Sequence, residues 1–173
     1  MSEKNCAADI RLAAVCGLFC PSCSVYIGTT EEPERLRAMA ARFGMPVEEL
    51  ECLGCRSEKR SFYCRDRCKM AACAAEKGLS FCGECGEYPC EEIKTFQSQA
   101  PHRLDLWSSL ELAKADGLEL WYEAMRARYS CPACGAVNSA YDETCRKCGS
   151  TPSCAYVQEH GEEVARFTGR IKP

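Results

Sequence analysis

Histidine is nearly absent from this 173-residue chain; His102 and His160 are the whole complement. Two isolated histidines build neither a His-Glu-x-x-His zinc helix nor a Ser-His-Asp order, and no Gly-rich loop offers a phosphate cradle. Charge of one sign is also lacking. A formal net charge of −3 provides no global basic field, which argues against a general nucleic-acid binder. No run of about 18 apolar residues occurs, so nothing reads as a membrane span. Asp9 and Arg11 sit where an export signal would need its apolar core, so the expected location is the cytoplasm.

Cysteine is what the chain has in excess, with 17 residues. Their number is odd and they are clustered. In a reducing compartment that pattern points to metal or redox chemistry rather than disulfide staples. The clusters are Cys16, Cys20, Cys23; Cys52, Cys55; Cys64, Cys68, Cys73; Cys82, Cys85, Cys90; Cys131, Cys134; and Cys145, Cys148. Cys6 and Cys154 stand alone and read as small apolar fillers or free thiols.

Between the clusters the apolar spacing is helical. Leu36, Met39, Ala40 and Phe43 recur at i, i+3, i+4, i+7 behind Pro33, which predicts a helix over 33–43 ended by Gly44. A further turn is expected over 45–50, an Ala-rich helix over 67–77 capped by Gly78, and a short helix from Pro89 to about 97. Leu104, Trp107 and Leu110, then Leu118, Trp121, Tyr122, Met125 and Tyr129, predict a helical hairpin turning at Gly117, with both tryptophans in the main core. Residues 162–170 read as a terminal helix, and His160 as a surface residue without a partner.

The strongest metal signal is C-terminal. Cys131-Pro132-Ala133-Cys134-Gly135 and Cys145-Arg146-Lys147-Cys148-Gly149 read as two zinc knuckles facing each other across a short β-hairpin, a closed four-sulfur structural site. The eleven thiols from Cys16 to Cys90 do not divide into sets of four. Proximity groups Cys52, Cys55, Cys64 and Cys68 in one site and Cys73, Cys82, Cys85 and Cys90 in a second. Cys16, Cys20 and Cys23 then remain as a triplet with an open position. That triplet has the C-x3-C-x2-C spacing with which radical S-adenosylmethionine enzymes hold a cluster, but no alternating strands and helices follow it. From Arg56 to Lys69 run six basic residues with Phe62 and Tyr63 among them. They suit neutralisation of nearby thiolates better than a grip on single-stranded nucleic acid.

Cys16-Gly17-Leu18-Phe19-Cys20, Cys52-Leu53-Gly54-Cys55, Phe81-Cys82-Gly83-Glu84-Cys85 and Tyr88-Pro89-Cys90-Glu91 together resemble the domain-of-unknown-function 3795 family over about residues 14–97. These are cysteine-rich prokaryotic proteins, some with a zinc-ribbon-like tail. The resemblance implies a cytoplasmic metal-binding protein and supplies no activity. Cys64 and Cys68 depart from a simple knuckle by their wider spacing.

The expected fold is a small metal-stabilised mainly-α domain with Cys-rich knuckles, plus a C-terminal β zinc ribbon. The expected division is a Cys-rich metal-binding domain at 1–100, a helical hairpin at 101–129, and the ribbon with its tail at 130–173. The expected function is that of a non-catalytic zinc-binding module serving a protein or nucleic-acid partner, without a membrane. Two alternatives stand beside it: an iron–sulfur redox or electron-transfer protein using the Cys16, Cys20, Cys23 triplet, and a metal- or thiol-sensing regulator.

Overall fold

The computed structural model describes residues 8–170. Seven α-helices are present among them: α1 Ser24–Thr30, α2 Pro33–Phe43, α3 Val47–Leu50, α4 Lys69–Lys77, α5 Glu91–Ser98, α6 Leu106–Tyr129 and α7 Ala155–Phe167. Gly44 and Gly78, both left-handed, close α2 and α4. α6 is interrupted at Gly117, whose φ of 79° and ψ of 179° are not helical. The chain folds back there, so that Trp121 Nε1 donates to Ser109 Oγ at 2.8 Å. Twelve residues of straight helix would hold those positions about 18 Å apart.

The main core forms around this fold-back. Trp121 has no accessible surface and meets Phe19 edge-on at 6.0 Å and Phe81 at 5.7 Å. Tyr129 stacks on Tyr156 of α7 at 5.1 Å. Trp107 is only half-buried and lies against Tyr88. Truncating a buried aromatic of this kind costs about 3–5 kcal/mol, so the aromatic stripe is a principal source of stability. One apolar cluster joins residues from Ala13 to Val157. A smaller one, Leu36, Ala40 and Leu50, lies under α2 and α3.

The first cysteine turn is pinned directly to this core. Ser109 Oγ, which receives the Trp121 N–H, donates in turn to Gly17 O at 2.6 Å. A Cβ on Gly17 would lie 2.8 Å from Leu110 Cγ, and its φ is +87°. Only glycine lets the turn approach α6 so closely.

The expected C-terminal β ribbon is not formed. Among the described residues there is no strand, and Ser130 and Val137 make only an isolated bridge. The backbone groups that a ladder would use are committed elsewhere. Ser139 N donates to Asp142 Oδ2 at 2.8 Å and Asp142 N to Ser139 O at 3.0 Å. Arg146 N is taken by the Asn138 side chain. With these donors bound to turns and side chains, pairing cannot propagate beyond one bridge.

Candidate metal centres

Each C-terminal knuckle is a tight turn built the same way. Gly135 N donates to Cys131 O and Gly149 N to Cys145 O, both at 2.9 Å. Those glycines have φ of 74° and 75°, a conformation that side-chain-bearing residues rarely adopt. The two turns face each other, with Cys131 Sγ 3.7 Å from Cys148 Sγ and Cys134 Sγ 3.6 Å from Cys145 Sγ. All four sulfurs lie within 4.8 Å of one another. Cys131 and Cys145 are buried; Cys134 and Cys148 are exposed.

Electrostatics favours thiolate at part of this quartet. Burial tends to raise the Cys145 thiol, but the N–H groups of Cys148 and Lys147 and the thiols of Cys131 and Cys134 outweigh it and hold it near 6. The Ser150 hydroxyl and N–H lower Cys148. Asn138 was not legible as a site residue in the sequence. It has no accessible surface, and its Nδ2 donates to Ala136 O at 2.9 Å, Ser153 O at 3.1 Å and Cys145 Sγ at 3.7 Å.

Three contacts dock the quartet onto the N-terminal half. Arg146 donates to Glu31 at 2.8 Å and Glu32 at 3.0 Å, Arg35 makes a two-pronged pair with Asp142, and Ser24 bonds Ser139 at 2.8 Å.

The N-terminal cysteines fall into two neighbourhoods. Seven of them, Cys16, Cys20, Cys23, Cys52, Cys55, Cys64 and Cys68, line one cavity of about 600 Å³. The triplet is therefore not segregated from the Cys52–Cys68 group. Cys64, in a π-helical turn Tyr63–Arg67, is the hub of this set. Ionised, it would raise the thiols of Cys16, Cys20, Cys23, Cys52 and Cys68, and the Cys55 side chain first and burial second push its own thiol up. Cys55 N donates to Cys20 Sγ at 3.3 Å.

Cys73, Cys82, Cys85 and Cys90 make the second neighbourhood. Burial first, then Cys90, Cys73, Cys68 and Cys85, raise the Cys82 thiol to about 12. Lys77 Nζ approaches Cys85 Sγ at 3.5 Å. Among the described residues, no three thiols of either neighbourhood share the close spacing of the C-terminal quartet.

Burial raises Cys16 to about 12 and Cys23 to about 11. A nucleophilic or exchanging thiol requires the opposite shift. Cys154 is buried in the main core, as a small apolar filler would be. Cys6 lies outside the described residues.

His160 is not a free surface residue. Its Nε2 is 2.7 Å from Asp105 Oδ1, and its ring leans on Tyr156 at 4.8 Å. Asp105, Glu159 and His160 lie as close together as metal ligands. Arg128 Nη2 already pairs with Asp105 at 2.6 Å and Glu159 at 2.7 Å, so the cation of that cluster is a guanidinium. No helix among the described residues is long and apolar enough to cross a membrane.

A family model described as Protein of unknown function (DUF3795) matches residues 12–95. The match contains every cysteine of the two N-terminal neighbourhoods and ends before α6 and the C-terminal quartet. It supports that family for this half of the chain; the zinc-ribbon-like tail lies outside it. No curated protein and no solved structure gives a match.

Proposed function

We propose that this chain is a multi-site metal-binding module without catalytic activity, in which Cys131, Cys134, Cys145 and Cys148 hold a zinc ion and the cysteines of residues 12–95 hold further metal. The observation that carries this reading is the C-terminal sulfur spacing of 3.7 and 3.6 Å. A tetrahedral zinc with Zn–S bonds of about 2.3 Å sets its sulfurs about 3.8 Å apart. Four protein ligands fill that coordination sphere and leave no position for a substrate or water, so the ion's role is structural. It replaces the apolar core that so short a segment cannot provide, and through Arg146 and Asp142 it fastens the knuckle segment to Glu31, Glu32 and Arg35 around the α1–α2 junction.

The test is elemental analysis of the purified chain, with hydrogen exchange before and after treatment with a strong chelator. The expected result is zinc that falls by about one ion per chain in Cys145→Ser, with amide protection over 130–154 lost on stripping while α6 keeps its own. Unchanged protection after complete metal removal would overturn the reading.

A further inference from the structure

The two kinds of cysteine site in this chain differ in scale. At the C-terminal quartet all four sulfurs lie within 4.8 Å of one another, the reach of a single ion. Seven thiols surround the N-terminal cavity, yet among the described residues no three of them come that close. They are arranged around a space of about 600 Å³ rather than around a point. Sulfurs that ligate a four-iron cubane stand about 6 Å apart, because the inorganic core separates them.

We infer that this cavity holds an iron–sulfur cluster, ligated by the Cys16, Cys20 and Cys23 turn together with Cys64. The inference rests on the reading that the N-terminal thiols bind metal, and it names which metal. Four further observations support it.

First, the triplet lies on one short, rigid turn. Cys23 N donates to Cys20 O at 2.9 Å, and the turn is locked to α6 through Gly17 and Ser109. Second, Cys23 is exposed and lines the cavity, so its sulfur is open to a guest there. Third, the remaining wall is mostly apolar, with Phe19, Met39, Leu50, Phe62 and Phe96, while Ser61, His102 and Arg103 add a polar side. Fourth, a cationic side chain with an unpartnered donor adjoins the cavity wall. Arg60 directly precedes Ser61 and Phe62, which line the cavity, and its Nε–H is buried with no hydrogen-bond partner. A four-iron cluster on four thiolates carries about −2, and hydrogen bonds to its sulfurs help set its potential. An orphaned buried donor next to this wall is a group such an anion would satisfy.

Anaerobic purification of the full chain from iron-replete cells, with iron, zinc and acid-labile sulfide measured together, tests the inference. Expected are about four iron and four sulfide per chain and an absorption band near roughly 400 nm, alongside zinc at the C-terminal quartet. Cys64→Ser should lose at least tenfold of the iron and sulfide and keep the zinc; Cys145→Ser should do the reverse. Circular dichroism identifies a variant that has merely failed to fold, and the wild-type stoichiometry stands independently of either variant. Zinc in place of iron, with no band after incubation with ferrous iron and sulfide, overturns the cluster and leaves the metal-binding function standing. Iron without sulfide, or a cluster unaffected by Cys64→Ser, overturns it as well. A chain without metal at any site overturns both.

Discussion

His102 shows how much a single half-buried side chain decides. Arg103 Nε can only donate, and it approaches His102 Nε2 at 3.2 Å, so Nδ1 carries the proton and donates to Tyr141 Oη at 2.6 Å. Burial first and the charge of Arg103 second lower the His102 pKa from 6.5 to about 4. The unfolded chain takes up a proton near 6.5, whereas the folded one does not until about 4. The folded state therefore binds fewer protons in that window, and stability falls as pH falls through it. His102→Gln should remove this part of the pH dependence. Denaturant unfolding of both chains from neutral pH down to 4 should show the wild-type advantage shrinking by on the order of 2 kcal/mol. Acid protonation of the thiols is common to both chains and cancels in the difference. A difference that does not vary with pH would show that His102 is not held neutral. Asn138 belongs to the same scale. Its amide satisfies the Ala136 and Ser153 carbonyls and a thiol, while its Oδ1 accepts Arg146 N at 3.0 Å.

At the scale of elements, much of the local pattern was readable. Pro33 and Gly44 bracket α2, and Gly78 closes α4, because restricted φ at one residue and tolerance of positive φ at another act within a few positions. The fold-back at Gly117 belongs to the same class. The β-hairpin between the C-terminal knuckles was misread for a complementary reason. Knuckle spacing specifies two turns, but what joins them depends on competing hydrogen-bond partners such as Asp142 and Asn138, which no periodicity reports. Packing between elements has its own sharp requirement at Gly17. Gly17→Ala forces a positive φ on a side-chain-bearing residue and drives a methyl against Leu110. A loss of about 2–4 kcal/mol is expected in chemical denaturation. A change below about 0.5 kcal/mol would mean that the turn can retreat from α6 at little cost.

Across the whole molecule, the apolar cluster draws on the first cysteine turn, α4, α5, α6 and α7 together. Unfolding should accordingly be one cooperative transition in the metal-loaded chain. Arg146 tests how far the C-terminal quartet shares in it. Its side chain is 5% exposed and joins Glu31, Glu32 and Val137 O. Arg146→Ala removes the donor to Val137 O and one of the two cations that pair with each of Glu31 and Glu32, the others being Lys147 and Arg35; it should cost about 1–3 kcal/mol, seen as a lower midpoint with zinc content unchanged. If the transition instead splits in two, the quartet and the N-terminal half fold as separate units.

Short-range spacing in the chain was enough to mark which cysteines act in turns and where helices start and stop, since both depend on residues within about one or two turns of each other. Convergence was not encoded at that range. The triplet at Cys16, Cys20 and Cys23 and the pairs at Cys52, Cys55 and at Cys64, Cys68 line one cavity only because α6 folds back and fixes the first turn on Trp121 and Ser109. The same long-range packing made His160 a partner of Asp105 and placed Asn138 beside Cys145. Contacts between residues dozens of positions apart arise from burial of the shared core, a property of the folded chain rather than of any stretch of it.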